Sequence, residues 1–352
     1  MNKDNITLSI ITALESEEGI WMLDANYPII YLLEIENRKI LEFYVIPQSD
    51  NKKYAQYLGM IIYNDYIYIL PDNGYYIQIF DIRNRKFTNQ ISQKGKSGVF
   101  LGGYVYEKNV YCIPFRHVIG CINTKDFVAE EINWREYLGV GKNYYVNDFA
   151  IQKNIISMVI PKTNKIFMLD CKSNKIASVS VGNPENSYIS ICSTNNKWFI
   201  CEQNKKQIQI VDLDERSIIK STNIGYESVK MYAAYDKYII VDDVNTDKWS
   251  MYDTQLNLIS EYIFEKEELL RNDALVYRFG HWFLGTDSKV HCIDDYNHLL
   301  TIELDGEIKK ENIFVDSSVI LRALQENNRI NNDGTVFESY VYNLDAFLNK
   351  NV

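Results

Sequence analysis

Short apolar runs rich in β-branched and aromatic residues alternate with polar tetrads through nearly the whole 352-residue chain. Residues 229–264 show the unit most plainly. Val229–Asp236 and Lys237–Asp243 are two strand-like runs, and the polar Val244-Asn245-Thr246-Asp247 segment separates them from a third, Lys248–Thr254. A fourth run, Leu256–Phe264, follows the Thr254-Gln255-Leu256-Asn257 turn. Runs of this length, bounded by Asn, Asp and Ser, are expected to be strands. Asp253 closes the third, where a carboxylate can accept hydrogen bonds from N–H groups two residues on and fix a tight turn.

The equivalent position falls at Glu34, Asp81, Cys121, Asp170, Asp212, Asp253 and Asp294, at intervals of 40 to 49 residues. A repeat of that length made of short strands predicts a β-propeller, in which each unit is one four-stranded blade. The first unit divides into Leu8–Ser16, Gly19–Ala25, Ile29–Glu36 and Ile40–Ile46. The seventh divides into Asp273–Gly280, His281–Ser288, Lys289–Asp295 and His298–Asp305. The second strand opens with an aromatic in most units (Trp21, Tyr66 and Tyr68, Tyr111, Trp198, Tyr238, Trp282), which fits packing between neighbouring sheets. The third unit replaces the acid by Cys121, and the fourth has Ile155-Ile156-Ser157 where an aromatic is expected. The expected fold is therefore all-β: a seven-bladed propeller over residues 1–306, with six or eight blades as alternatives. Residues 307–352 form an extension that packs on the propeller or closes it. Within that extension Val336, Phe337, Tyr340, Val341, Leu344, Phe347 and Leu348 recur at helical spacing, predicting a short amphipathic helix suited to covering a sheet edge.

Two turns, Ile210-Val211-Asp212-Leu213-Asp214-Glu215-Arg216 and Phe80-Asp81-Ile82-Arg83-Asn84-Arg85-Lys86, resemble the blades of the WD40/YVTN-like propeller superfamily. The Trp-Asp and Gly-His pairs of true WD40 repeats are absent, as is the recurrent Gly pair of kelch repeats, so the resemblance stops at the superfamily. It implies a scaffold that often binds proteins or peptides, with a minority of enzymes.

Composition narrows the partners. A net charge of −10 and scattered Lys pairs disfavour nucleic acid, which is held by clustered cations. The amino terminus lacks the charged and apolar regions of a signal peptide, and no apolar run reaches the roughly 18 residues of a spanning helix. A cytoplasmic location away from membranes is expected. Six cysteines lie in or beside predicted strands without a CxxC pair, as reduced core residues do.

No complete catalytic motif stands out. Gly95-Lys96-Ser97 lacks the first glycine of a phosphate loop and the helix that should follow it. Asp243, Asn245 and Asp247 alternate like calcium ligands, but Lys248 and Thr254 occupy the positions of the loop's glycine and glutamate. His281 and His291 could pair across one hairpin, without the three or four ligands a metal wants. No cofactor is expected. Propeller ligands commonly meet the connections from one blade's outer strand to the next blade's inner strand. Those connections carry Tyr57, Arg135, Tyr144, Tyr145, Tyr188, Tyr226 and Arg271, aromatic and cationic groups of the kind binding surfaces use. The leading expectation is a noncatalytic scaffold presenting this Tyr-rich face to a protein or peptide, with a small-molecule or glycan ligand as the other partner class. The alternative is an enzyme acting on a sugar or peptide, with Asp148, Glu227 or Asp273 as acid or base.

Overall fold

The computed structural model describes residues 10–313, apart from 25–27, 48–56, 72–75, 93–99, 116–117, 139–143, 226–228, 244–247, 264–280, 285–289, 294–297, 304 and 306. The described residues form seven four-stranded antiparallel sheets, each built from four consecutive strands in chain order. The first holds β1 (Ile10–Ser16), β2 (Gly19–Asp24), β3 (Ile29–Glu34) and β4 (Lys39–Val45), and the second holds β5 (Tyr57–Tyr63), β6 (Tyr66–Pro71), β7 (Tyr76–Asp81) and β8 (Lys86–Ser92). The third comprises β9 (Phe100–Tyr106), β10 (Asn109–Pro114), β11 (Ile119–Asn123) and β12 (Ala129–Ile132), followed by the helical turn α1 (Trp134–Leu138). The fourth has β13 (Asp148–Gln152), β14 (Ile155–Val159), β15 (Lys165–Asp170) and β16 (Lys175–Ser180). The fifth has β17 (Tyr188–Thr194), β18 (Lys197–Glu202), β19 (Gln207–Asp212) and β20 (Ser217–Asn223). In the sixth are β21 (Val229–Ala234), β22 (Tyr238–Asp243), β23 (Lys248–Asp253) and β24 (Leu258–Ile263). The seventh consists of β25 (His281–Leu284), β26 (Val290–Ile293), β27 (His298–Ile302) and β28 (Ile308–Asn312).

Burial follows strand position. Second strands such as β2 and β22 are buried along their whole length, because both faces meet neighbouring sheets. Fourth strands such as β8 and β20 are mostly exposed and rich in Lys, Ser, Thr and Asn. The core is accordingly a series of layers between consecutive sheets. One layer joins the first and second sheets around Trp21, Ile30, Met60 and Phe80, another the third and fourth around Tyr111, Trp134, Met158 and Phe167. Two more join the fourth to the fifth and the fifth to the sixth. Of the aromatics that open second strands, Trp21, Tyr111 and Trp198 stand inside these layers; Tyr68 and Tyr238 are buried as well, while Tyr66 is half-buried.

The chain divides into two compact units, Met1–Ser97 with Phe279–Val352, and Gly98–Arg278. In the first unit β1 lies against β5 on one side and β25 on the other. Arg38, in the turn between β3 and β4, forms an ion pair with Glu311 of β28. The first and seventh sheets thus meet by side-chain packing, with no strand exchanged between them. In the second unit β17 lies against β13 and β21, so the first strand of each sheet is again the one beside its neighbours.

Two repeats differ from the sequence expectation. In the third, Cys121 sits inside β11, opposite Tyr111 and Glu130, and the turn is held by Asn123, whose Oδ1 accepts the Lys125 N–H at 2.9 Å. In the seventh, the assignment shifts by one strand. His281–Leu284 is the first strand of its sheet, and the buried third strand is β27, with Leu299, Leu300 and Ile302 enclosed. The exposed, Lys- and Glu-bearing β28 is the fourth, so a boundary at residue 306 would cut the β27–β28 hairpin. The His-Trp-Phe-Leu run is aromatic-led like a second strand, which explains the slip. Register also separates the histidines: His281 stands opposite Ile293 and His291 opposite Phe283, with His291 Nδ1 3.0 Å from Thr301 Oγ1. The expected helix at Phe337–Leu348, Asp294 and the expected strand over 273–280 lie outside the described residues.

Candidate functional site

Because each sheet runs through four antiparallel strands in chain order, the start of the first strand and the end of the second lie at one end of the sheet. The second unit shows this end most completely, and most of the described residues expected to bind or react lie there. Between β12 and β13 the chain makes its long connection. Trp134 anchors it, fully buried in the layer between third and fourth sheets, its ring 6.4 Å from that of Phe167. Arg135 lies over the Trp134 ring at 5.2 Å and donates from Nη2 to the Tyr144 carbonyl at 2.8 Å, bringing the two ends of the connection together. Val146 N–H donates to the Phe115 carbonyl at 2.8 Å, and the Phe115 and Tyr145 rings lie 4.7 Å apart. Arg135, Tyr144, Tyr145 and Phe115 are half-buried, an aromatic and cationic surface on a fixed backbone.

Next along the chain is Asp148, buried with 1% exposure. Its carboxylate accepts from four donors: Phe149 N–H at 2.9 Å, Ser190 Oγ at 2.5 Å, Ile191 N–H at 3.2 Å, and the Lys230 ammonium as an ion pair. Ser190 Oγ in turn accepts the Met231 N–H at 2.9 Å. Asn147 Nδ2 donates to the Ile189 carbonyl at 2.5 Å. One carboxylate therefore ties the first strands of the fourth, fifth and sixth sheets. With its lone pairs so occupied it is a structural group, not an available acid or base.

Tyr188 is also internal. It is fully buried, donates to the Val181 carbonyl at 3.0 Å and accepts from Asn186 Nδ2 at 3.1 Å. Burial raises its phenol pKa, and the Asn186 donor only partly offsets this. Gly182 makes the close turn possible: at φ 65° a Cβ there would stand 2.5 Å from Asn186 Nδ2 and 3.1 Å from the Tyr188 hydroxyl. Tyr57, in the other unit, is likewise buried. Both tyrosines open a first strand just before a bulge, Tyr57/Gly59 and Tyr188/Ser190, where the chain enters between sheets. They are packing residues, whereas their loop position had suggested a surface. The structure brings Arg135, Tyr144 and Tyr145 together. Tyr226, Glu227, Arg271 and Asp273 lie outside the described residues.

Sequence reasoning passed over Phe115, Ser190, Lys230 and a second buried carboxylate, Glu202, with its partners Lys205 and Gln209. The signal for Lys230 and Gln209 was a long polar side chain inside an otherwise apolar strand. Among the described residues no three His, Cys, Asp or Glu side chains gather as metal ligands would.

No family model matches the chain, and no curated protein matches it in sequence. Solved structures do. Virginiamycin B lyase from Staphylococcus aureus superposes with a TM-score of 0.63 at 13% identity, covering 87% of this chain and 97% of that one. The β-propeller domain of Cps50 (Swd1) from Myceliophteria thermophila gives 0.60 at 8% identity, covering 88% and 98%. The chain has the β-propeller fold. A third neighbour, U3-55K, matches at 0.58 and 10% identity over 86% of this propeller and 91% of its own chain. At such identities the likeness is one of fold alone. No helix among the described residues is long and apolar enough to cross a membrane.

Proposed function

We propose that the chain is a noncatalytic, cytoplasmic binding propeller, its seven sheets serving as blades, which docks a protein or peptide on the end of the second unit bearing Arg135, Tyr144, Tyr145 and Phe115. The observation that carries this reading is the state of Asp148. The best placed acid of that end is consumed by four donors in joining three sheets, while the neighbouring aromatic and guanidinium groups lie half-buried on a braced connection. Such groups supply contact area at small entropic cost. Tyr226 and Arg271 are proposed to extend the same face. Neighbours such as the Cps50 propeller domain support a binding role by fold.

A second reading keeps an enzyme, because two of the solved neighbours are named as streptogramin B or virginiamycin B lyases. It would need Glu227 and Asp273 as the reacting pair, without Asp148. Tyr144→Ala with Arg135→Ala tests the first reading. A partner bound by the wild type should be lost by at least tenfold in Kd, with the far-ultraviolet spectrum unchanged. Retained binding together with turnover abolished by Glu227→Gln would favour the enzyme.

A further inference from the structure

The turn from β14 into β15 stands beside the braced connection and carries two cations, Lys162 and Lys165. Asn147 N–H donates to the Val159 carbonyl at 3.0 Å, and Ile160 packs in one layer with Trp134, Tyr144 and Val146. Thr163 Oγ1 donates to the Ile160 carbonyl at 2.8 Å and Lys162 N–H to Ser187 Oγ at 2.8 Å, which together hold the turn. Lys165 opens β15 opposite Ser180 of β16, the strand against which α1 lies. Side chains alternate along a strand, so Lys165 leaves the sheet on the same face as Phe167, two residues on. That face meets Trp134, whose ring is 6.4 Å from Phe167 and 5.2 Å from the Arg135 guanidinium.

Lys165 is half-buried and Lys162 exposed. Among the described residues neither ammonium has a carboxylate within ion-pair distance, and the exposed acids of the adjoining connections, Glu136 and Glu185, pair with neither. The buried acids of this end differ: Asp148 and Glu202 each hold a lysine of their own, Lys230 and Lys205. The charge left unanswered is therefore positive. A half-buried ammonium beside a guanidinium has lost hydration and faces a like charge, and a carboxylate supplied from outside relieves both. The net charge of −10 is spread over the whole chain, and a screening length of about 8 Å leaves local contacts in control. We infer that the partner of this surface is an acidic peptide segment. Its carboxylates meet Lys162 and Lys165, while an aromatic side chain rests on Tyr144, Tyr145 and Phe115. The inference rests on the reading of this end as a docking face and names the partner's chemistry.

The probes are three rhodamine-labelled peptide amides, Glu-Glu-Tyr-Glu-Glu, Gln-Gln-Tyr-Gln-Gln and Lys-Lys-Tyr-Lys-Lys, followed by fluorescence anisotropy at about 0.15 M salt. The acidic probe should bind saturably and roughly tenfold tighter than the neutral one, and the basic probe should not bind. Lys162→Gln with Lys165→Gln should weaken the acidic probe roughly fivefold, while Lys125→Gln with Lys153→Gln, at the opposite end of the sheets, leaves it unchanged. Lys162→Glu with Lys165→Glu should turn the preference toward the basic probe. Equal binding of acidic and neutral probes, preference for the basic one, or an acidic preference that survives the paired Gln changes would overturn the inference. Tighter binding of a short oligothymidine than of the acidic peptide would overturn it in favour of nucleic acid. Face and chemistry fail separately. A native partner lost by Arg135→Ala with Tyr144→Ala, beside probes that bind equally, keeps the face and rejects the acidic peptide. An acidic probe held by Lys162 and Lys165, beside a native partner indifferent to Arg135 and Tyr144, keeps the cation site and rejects the face.

Discussion

A hydrogen-bonding side chain four residues ahead of a left-handed residue marks most turns between third and fourth strands. Glu34 precedes Arg38, Asp81 precedes Arg85, Asn123 precedes Phe127, Asp170 precedes Asn174 and Asp212 precedes Arg216, and the later residues all have φ between 52° and 57°. Only asparagine among them tolerates that region well, so the turns hold strained residues by side-chain bonds. Asp81 accepts Asn84 N–H at 2.9 Å and Asn84 Nδ2 at 2.8 Å, and these bonds, the side-chain one foremost, hold its pKa below the ordinary value. Ser173 does the same for Asp170. At Asp253 burial is the largest influence and raises the pKa, but bonds from Asn257 and Gln255 outweigh it. A depressed folded pKa means stability present above the unfolded value of about 4 and lost as pH falls through the folded one. Asp81→Ala should cost about 1 kcal/mol at pH 7, and urea unfolding should show the gap to wild type closing as pH falls below about 4. Arg216→Val should lower stability by about 1–2 kcal/mol while Arg216→Gly stays within about 0.5 kcal/mol of wild type, measured the same way. Burial pushes the Cys171 and Cys201 thiols up to about 12, so a thiol reagent at pH 8 should leave both unmodified until the protein unfolds. The acidic turn positions were legible because Asp next to a polar tetrad has one common use. Tyr188 was not, since sequence places it in a loop and only the bulge after it shows that it turns inward.

At the level of elements, the tie made by Asp148, Ser190 and Lys230 is what the repeat pattern could not reveal, since it links residues 42 and 82 positions apart. Lys230→Met leaves a buried carboxylate without its cation and should destabilise by about 3 kcal/mol. Adding Asp148→Asn removes the unpaired charge and should recover part of that loss; additive losses in denaturant unfolding would mean the ion pair carries no coupling. The fourth strands share another feature. β4, β8, β20 and β24 each shift register by one residue against the third strand, leaving Leu41, Thr88, Ile219 and Ile259 at the bulge. Leu41, Ile219 and Ile259 are consequently among the exposed large apolar residues. Bulges bend edges away from further pairing, which offsets that apolar exposure. Strand limits in the first and sixth sheets match the alternation of the sequence closely, because turn residues bound each run. The seventh sheet slipped because aromatic content, unlike burial, does not tell a first strand from a second.

For the whole molecule, the seam between the first and seventh sheets has consequences for truncation. With Arg38–Glu311 part-exposed, the pair itself is worth at most about 1 kcal/mol. Loss of β28 is a larger injury, because it bares the apolar β27 edge. A chain ending at residue 306 should therefore aggregate or melt well below one ending at 313, by differential scanning fluorimetry. The repeat period announced a propeller; what it could not announce was which of its many tyrosines are surface and which are core. The central claim is that partners meet the Arg135, Tyr144 and Tyr145 surface. The most direct test places a photo-crosslinking residue at Tyr145 and, as control, at Lys125, in the β11–β12 turn on the opposite end of the third sheet. Crosslinks to one partner from position 145 alone, lost on Arg135→Ala with Tyr144→Ala, are the predicted result. The same adducts from both positions, or from Lys125 only, would contradict it.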